Sequence, residues 1–220
     1  MKTVRLNKRI INAYYVPNKN DKILVAGAGY GLEAIMIKNE FGLKTYAVDL
    51  NIDESLLAQE ENLIFRKDDL MNLLFPDDFF SLVYNIHVLE HVKDHSRVLN
   101  ELHRVLKKNG VLYIGFPNKN RLVGYFGASQ KVSLVDMVRW NLLDYKKRMG
   151  GRFENKYGAH AGYSQLGFIK DALKFFRKIY PVRNQYMMQK YEPYKGLLEL
   201  LIKLKVEEYI FPSNYFICIK

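Results

Sequence analysis

The stretch from Lys22 to Asp49, KILVAGAGYGLEAIMIKNEFGLKTYAVD, decides the fold of this chain. An apolar run ends in the glycine-rich turn Gly27-Ala28-Gly29-Tyr30-Gly31. A helical segment from about Leu32 to Phe41 follows, and a second apolar run ends on Asp49. This order predicts a strand, a turn, a helix and a second strand of a parallel sheet. The glycine turn and Asp49 are then expected at the carboxyl ends of two neighbouring strands.

The spacing of the glycines indicates the kind of ligand. Glycine lets the backbone turn sharply and approach a ligand without a Cβ atom in the way. A carboxylate at the tip of the second strand can accept hydrogen bonds from both hydroxyls of a ribose, so Asp49 indicates a nucleoside-containing cofactor. The dinucleotide fingerprint needs its third glycine at the position of Leu32, but the third glycine here is Gly31. The G-x-G-x-G spacing therefore argues against a dinucleotide.

Two blocks of the sequence resemble the class I S-adenosylmethionine (SAM) methyltransferases. The glycine loop is similar to the first motif of that superfamily. The block from Phe79, FFSLVYNIHVLEHVKDHSRVLNELHRVLKKNGVLYIGFPN, resembles the fourth strand, following helix and fifth strand of its small, type 11 members. It departs from the family pattern at Ser81 and at Lys108-Asn109. The resemblance implies a Rossmann-like α/β fold with a mostly parallel seven-stranded sheet and helices on both faces.

The resemblance also implies which residues contact the cofactor. Asp69 is expected to accept a hydrogen bond from the adenine amino group, and Asp68 is the alternative, since either can end the third strand. Asn85, at the tip of the fourth strand, is expected near the methionine end of SAM. The full implied set is Gly27, Gly29, Gly31, Asp49, Asp69, Leu70 and Asn85.

The remaining chain alternates predicted strands and helices, and all 220 residues are expected to form one domain. An amphipathic helix around Val98 to Leu106 is predicted to end at Gly110. The pattern lapses in residues 118–163, which predicts an insertion that covers the active site as a lid. Residues 178–190 are predicted to be extended. A helix over residues 197–206 and a strand over residues 215–219 follow.

A second set of residues concerns the chemistry of methyl transfer. His87, Glu90 and His91 have the i, i+3, i+4 spacing of one helical face, from which three side chains can converge on a metal ion. The segment resembles the E-x-x-E-H segment that supports a divalent metal in ubiquinone O-methyltransferases and in small-RNA 3′-terminal 2′-O-methyltransferases. His160 is a candidate fourth ligand. Without a metal, His91 and His160 are the expected catalytic residues, as general bases or orienting groups.

Composition limits the partners. The net charge of +11 favours either a nucleic acid, an anionic membrane surface, or simply a lysine-rich solvated surface. The chain has one cysteine, Cys218, so no disulfide can form within it, which suits the cytoplasm. No apolar run is long enough to predict a membrane span or a signal peptide. The oligomeric state is left open.

Three functions follow as alternatives. The favoured one is SAM-dependent methyl transfer to a small-molecule acceptor, with oxygen as the favoured acceptor atom. The second is RNA methylation of the terminal 2′-O type, through His87, Glu90 and His91. Methylation of base amines is disfavoured because the tip of the fourth strand reads Asn85-Ile86-His87-Val88 and lacks the Asn/Asp-Pro-Pro-aromatic tetrad. Basic and aromatic residues that could bind a nucleotide, or form a small core of the lid, interleave in the insertion: Arg121, Arg139, Trp140, Tyr145, Arg148 and Arg152. The third is a non-catalytic protein that binds SAM and a partner.

Overall fold

The computed structural model describes residues 2–52, 61–122, 133–150 and 163–220. Seven strands in these ranges form one sheet in the order β3-β2-β1-β4-β5-β7-β6. Strands β1 to β5 pair in parallel, and β7 runs antiparallel to both β5 and β6. The predicted mostly parallel, seven-stranded α/β fold is therefore confirmed. The strand bounds are β1 Lys22–Ala26, β2 Lys44–Asp49, β3 Leu63–Lys67, β4 Phe80–Ile86, β5 Leu106–Pro117, β6 Lys178–Pro181 and β7 Ser213–Ile219.

Helices cover both faces of the sheet. Successive side chains of a strand point to opposite faces, so Ile23 and Val25 of β1 join one core cluster and Leu24 joins the other. The first cluster takes residues from α1, α2, α6 and α7, and the second takes residues from α3 and α5. The helix bounds are α1 Lys2–Ile11, α2 Leu32–Phe41, α3 His95–Val105, α4 Leu134–Met149, α5 Gln165–Ala172, α6 Arg183–Lys190, α7 Lys195–Lys203 and α8 Glu207–Ile210. None of these helices is long and apolar enough to cross a membrane.

The predicted end of the helix at Gly110 is wrong. Helix α3 ends at Val105, and Leu106 already has extended backbone angles. The chain then turns through Lys107 to Gly110, with Asn109 in the left-handed region at φ 62°. A Cβ atom on Gly110 would lie 2.7 Å from the Lys107 carbonyl oxygen, so the turn itself requires glycine there. Gly110 directly precedes Val111, where the regular parallel pairing of β5 with β4 resumes after a register shift.

The prediction of extended structure over residues 178–190 is right only for its first part. Strand β6 ends at Pro181, and Arg183–Lys190 forms helix α6. Arg183, Tyr186 and Met187 are buried, which is the i, i+3, i+4 spacing of one helical face. The ring of Tyr186 stacks on Tyr215 of β7 with centroids 4.0 Å apart. Tertiary packing on β7 therefore accounts for a helix in a segment whose local pattern is ambiguous.

Helix α1 is an element that the sequence analysis did not predict. Its buried residues, among them Val4, Ile10 and Ile11, belong to the first core cluster. Asn7, also buried, donates from Nδ2 to the Tyr84 hydroxyl at 2.6 Å and accepts from the Tyr113 hydroxyl at 2.9 Å. These bonds connect the amino-terminal helix to the two central strands β4 and β5.

The strand order places a crevice between β1 and β4. The chain leaves β1 toward β2 and β3 on one side, and it then continues through β4 and β5 on the other side. At such a switch point the loops that follow two adjacent strands diverge, and ligands of open α/β sheets bind there, beyond the carboxyl ends of the strands. The glycine loop follows β1 and the segment from His87 follows β4. The glycine loop and the segment from His87 are therefore brought to the same crevice.

Candidate functional site at the carboxyl edge of the sheet

The loop after β1 is built from residues in the left-handed conformation. Gly27, Gly29 and Gly31 have φ angles of 82°, 51° and 79°. A side chain is strained in this region, which explains the glycine at each of the three positions. Gly31 then directly precedes the first residue of α2, and its carbonyl accepts the first helical hydrogen bond, from the Ile35 amide. The loop therefore reverses the chain from strand to helix in five residues.

Gly27 also lies against the segment that follows β4. A Cβ atom built on Gly27 would lie 2.2 Å from Val88 Cγ2, a distance that no structure tolerates. By contrast, a Cβ atom on Gly29 would meet nothing within 4 Å. The two glycines thus serve different purposes: Gly27 permits close packing across the crevice, and Gly29 leaves open space beside it.

Asp49 holds the two loops of this edge together. Its Oδ2 accepts the backbone amide of Gly29 at 2.9 Å, and its Oδ1 accepts the amide of Asn51 at 2.9 Å. The carboxylate is partly exposed and lines the crevice. A carboxylate has about four acceptor sites, so two of them remain for a ligand.

The backbone amides of the glycine loop are largely occupied. Both Gly27 and Ala28 donate to the Val48 carbonyl at the end of β2, at 2.8 and 2.9 Å. Gly31 donates to the Ala28 carbonyl, and Gly29 donates to Asp49. A loop that cradles a pyrophosphate presents its amides to the phosphate oxygens. In this loop the amides donate hydrogen bonds to β2, to the loop itself and to Asp49. This arrangement agrees with the glycine spacing in arguing against a dinucleotide.

A cavity of about 780 Å³ opens between these loops. Its size is within the range of about 300–1,000 Å³ that is usual for small-molecule and cofactor sites. The loops after β1, β2, β3 and β4 all contribute to it, and so does His91, the last residue of the 3₁₀ turn Leu89–His91. The lining residues are Gly27, Gly29, Asp49, Leu50, Asn51, Asp69, Leu70, Met71, His87, Val88, His91, Val92 and Lys93.

The structure separates the two aspartates after β3. Asp68 is buried, and its two carboxylate oxygens accept the backbone amides of Asp69 and Leu74. Asp69 accepts the Met71 amide and lines the cavity beside Leu70. Asp68 therefore shapes the loop, whereas Asp69 and Leu70 stand where a ligand would contact them.

The side chain of Asn85 is not among those that line the cavity, and its expected place near the methionine end of SAM stays a prediction. The side chain is fully buried, and its Nδ2 donates to the carbonyl oxygen of Ala26 at 2.9 Å. Ala26 is the last residue of β1, so this bond ties β4 to β1 beneath the crevice. Asn85 supports the site from below, and the residues that reach the cavity from β4 are His87 and Val88.

The segment from His87 to His91 is not an α-helix. His87 has φ 56°, and only Leu89–His91 form a short 3₁₀ turn. The single helical face expected for His87, Glu90 and His91 is therefore absent, and with it the predicted metal cluster. Across residues 2–52, 61–122, 133–150 and 163–220, no three His, Cys, Asp or Glu side chains are grouped to hold a metal ion.

A different arrangement joins two of these residues. His87 Nδ1 lies 3.3 Å from Glu90 Oε1. The Glu90 side chain is only 5% exposed, whereas that of His87 is 46% exposed and lines the cavity. The second oxygen of Glu90, Oε2, is buried without a hydrogen-bond partner among the described residues. His91 is exposed and also lines the cavity.

Part of the predicted lid lies outside the described residues, including His160, Arg152 and residues 123–132. Helix α4 is described, and two of the basic residues proposed for nucleotide binding are buried in contact with its Asp144. Arg121 Nη2 and Arg148 Nε lie 3.0 and 3.1 Å from Asp144 Oδ2. Arg121 and Arg148 therefore anchor α4 to the chain, and the interpretation of these two residues as nucleotide ligands is wrong.

Three features of the site escaped the sequence analysis. The pairing of Glu90 with His87 depends on the left-handed backbone at His87, for which no residue pattern gives a signal. The contact of Val88 with Gly27 joins segments 61 residues apart in the chain. Met71 and Lys93 line the cavity although neither belongs to a recognisable motif.

Known proteins resemble this chain over the same region. The profile of the family described as "Methyltransferase domain" matches residues 24–114, which run from within β1 to within β5. Norajmaline N-methyltransferase of Rauvolfia serpentina is 28% identical over 122 residues, which are 51% of this chain and 42% of that protein. Phosphoethanolamine N-methyltransferase of Plasmodium falciparum is 25% identical over 104 residues, 44% of this chain and 39% of that protein. The aligned part thus spans less than half the length of these relatives.

A solved structure shows the same fold. A phosphoethanolamine N-methyltransferase of Haemonchus contortus, in complex with phosphomonomethylethanolamine and S-adenosylhomocysteine, matches with a TM-score of 0.61 and 17% identity. The match covers 98% of this chain and 53% of that one. The sheet order, the glycine loop with Asp49 and the family profile together lead to one conclusion: residues 24–114 match a methyltransferase domain, and the described part of the chain has the fold of the class I methyltransferases.

Proposed function

We propose that this chain binds SAM in the cavity between β1 and β4 and catalyses the transfer of its methyl group to a small-molecule acceptor. The observation that carries the proposal is the arrangement of Asp49 and Gly29. The carboxylate is fixed by two backbone amides and still lines the cavity, while open space lies beside Gly29. This geometry suits a ribose with two neighbouring hydroxyls.

The residues present fit the rest of the cofactor. Asp69 and Leu70 are at the β3 side of the cavity, where the resemblance implies the adenine. Gly27 and Gly29 are at the β1 side, where it implies the amino-acid end. SAM supplies an electrophilic methyl group on a sulfonium centre, so the protein has to align an acceptor, exclude water and accept a proton.

We assign the proton-accepting role to His87, with Glu90 as its positioning residue. The carboxylate lies beside Nδ1, so a proton on that nitrogen is held there and Nε2 is left as the proton acceptor. His91 lines the same cavity and is the alternative base. The role predicted for His160 stays a prediction.

The acceptor atom is the less constrained part of the proposal. The sequence analysis favours oxygen, whereas the two relatives described above are named as N-methyltransferases. A phenol, an alcohol and a protonated amine must each lose a proton during methyl transfer, so a base at His87 serves all three. Binding of RNA is not favoured, since Arg121 and Arg148 are committed to Asp144.

Cofactor binding is tested first, by calorimetry with SAM, S-adenosylhomocysteine and NAD. We expect micromolar affinity for the first two and negligible affinity for NAD. Binding of NAD without binding of SAM would overturn the assignment.

Turnover is tested with a panel of phenols, alcohols and amines, by the release of S-adenosylhomocysteine. With an active acceptor, His87→Gln should lower kcat by about 10²–10⁴-fold, the usual contribution of a general base, without lowering the affinity for SAM. Glu90→Gln should shift the pH–rate profile, which a purely structural role would leave in place. His91→Gln is the matched control. A larger loss in His91→Gln than in His87→Gln would transfer the role of base to His91, and tight SAM binding without turnover on any acceptor would favour a non-catalytic role.

A further inference from the structure

Helix α4 packs on the chain through its polar side. Among the residues of α4 whose burial is described, Asp144 and Arg148 are buried, and Met137 and Asn141, on the same face, are partly buried. Arg148 also donates to the carbonyl oxygens of Lys119 and Arg121. A surface helix normally turns its apolar stripe to the core and its charges to water. The arrangement here is reversed.

The apolar stripe of α4 faces outward. Five apolar or aromatic residues follow the spacing i, i+3, i+7, i+10, i+14, which places them within one narrow sector of a helix. All are exposed, with relative exposures from 39% for Tyr145 to 77% for Val135. They are Val135, Val138, Leu142, Tyr145 and Met149, and we call them the α4 stripe.

Cations border the α4 stripe. Arg139 and Lys146 are exposed and lie one turn after Val135 and Leu142. The two acids of the helix are both engaged, since Asp136 accepts the Ser133 hydroxyl at the helix start and Asp144 is buried between arginines. The outward surface of α4 therefore combines apolar side chains with long cationic ones, whose stems can lie along an apolar phase while their charges reach its polar boundary.

The helix stands at the same edge of the sheet as the cavity. Its anchoring partners follow Pro117, the last residue of β5, and the His87 amide donates to the carbonyl oxygen of Gly115 in that strand. Two more exposed apolar residues, Leu122 and Tyr209, adjoin the anchor, and the amide of Leu122 donates to the Tyr209 carbonyl oxygen at 2.6 Å. Exposed apolar residues are thus also present next to the segment that anchors α4.

We propose that the α4 stripe docks this chain onto an anionic membrane surface. An apolar stripe bordered by Lys and Arg is the pattern of helices that lie in the membrane interface. The net charge of +11 adds attraction to anionic lipids. This step goes beyond the proposed methyl transfer and does not depend on it.

The charges disfavour two other occupants. A second copy of the chain that packed stripe to stripe would bring the cations Arg139 and Lys146 of the two copies toward one another, and like charges in an interface are unfavourable. A nucleic acid needs cations at the contact, whereas the centre of this surface is apolar. An anionic membrane satisfies both parts of the surface at once.

The test is co-sedimentation of the full chain with vesicles. Vesicles of equal parts phosphatidylcholine and phosphatidylserine should bind the chain, and vesicles of phosphatidylcholine alone should bind it at least tenfold more weakly. The double substitution Val138→Asp with Leu142→Asp should weaken binding to the anionic vesicles at least tenfold. Arg139→Glu with Lys146→Glu should weaken it by a similar factor, since each lost cation near an anionic surface accounts for about fivefold.

Val16→Asp is the matched control. Val16 is 86% exposed but precedes β1, and it therefore lies at the opposite edge of the sheet. It should leave vesicle binding unchanged, and SAM affinity should be unchanged in every variant, which separates docking from the cofactor site. Equal binding of wild type and stripe variants would overturn the proposal. So would a dimer in sedimentation velocity that the stripe variants abolish, or binding to RNA in place of vesicles.

Discussion

Substitution of Asp49 should weaken SAM binding more than any other single change in the cavity, because this carboxylate both fixes the loop and is proposed to bind the ligand. It accepts the amides of Gly29 and Asn51 and is proposed to accept the two ribose hydroxyls. In Asp49→Ala all four bonds are lost. In Asp49→Asn the side chain keeps its shape, but one of its two terminal atoms becomes a donor that faces a backbone amide.

The magnitude follows from the bonds to the ribose. A hydrogen bond to a charged group contributes about 1.5–3 kcal/mol, and bonds that share one carboxylate do not add fully. We therefore expect Asp49→Ala to raise the Kd for SAM by roughly 10- to 150-fold, since 1.4 kcal/mol corresponds to about tenfold. Asp49→Asn should do no better, because its amide cannot satisfy both loop amides.

Calorimetry with S-adenosylhomocysteine and its 2′,3′-dideoxy analogue separates the two roles of Asp49. In the wild type, removal of the two ribose hydroxyls should weaken binding by about the same factor as the substitution Asp49→Ala weakens binding of the natural ligand. The Asp49→Ala variant should bind the two ligands with nearly equal affinity. Asp77→Asn is the control, since this carboxylate is 72% exposed and pairs with Arg104 on the surface. If Asp49→Ala still prefers the natural ligand by the wild-type factor, Asp49 is not the ribose ligand.

Three further predictions concern packing and protonation. Gly27→Ala should destabilise the fold by at least about 1–2 kcal/mol, the cost of the left-handed conformation, and Val88→Ala should relieve the added clash in chemical denaturation of the double variant. Burial, with help from the positive charge of Lys220, lowers the pKa of His103 in the folded state. The unfolded chain therefore binds more protons, and the free energy of unfolding should fall as the pH drops through about 6.5. His103→Gln should show a shallower fall. Burial raises the pKa of the Cys218 thiol, so Ellman's reagent should label it only after unfolding, and rapid labelling of the native chain would contradict the buried position.

Much of the site was predictable because its residues act through backbone requirements. Gly27 and Gly29 are glycines since only that residue adopts the left-handed loop without strain, and this requirement is visible in the sequence. Asp49 ends β2, and Asp69 and Leu70 follow the end of β3, so their common edge follows from the parallel topology. The cavity lined by these five residues is where the sequence predicts it.

The failures share a cause, which is a dependence on contacts distant in sequence. The hydrogen bond from the Asn85 amide to the Ala26 carbonyl oxygen joins residues 59 positions apart, and no local pattern indicates it. The histidines at 87 and 91 have helical spacing, yet the left-handed backbone at His87 breaks the helix on which the predicted metal site depended. Spacing alone does not tell whether a helix forms in so short a segment.

The sequence by itself determined the order of strands and helices from β1 to β5, the glycine loop and the carboxylate beside it, because local backbone chemistry and alternating apolar patterns dictate these features. Only the tertiary structure decided how individual side chains are used. It turned Glu90 toward His87, committed Arg121 and Arg148 to Asp144, and thereby left the apolar side of α4 exposed. These choices depend on which charged groups become buried together, and a buried charge requires a partner that the local sequence does not reveal.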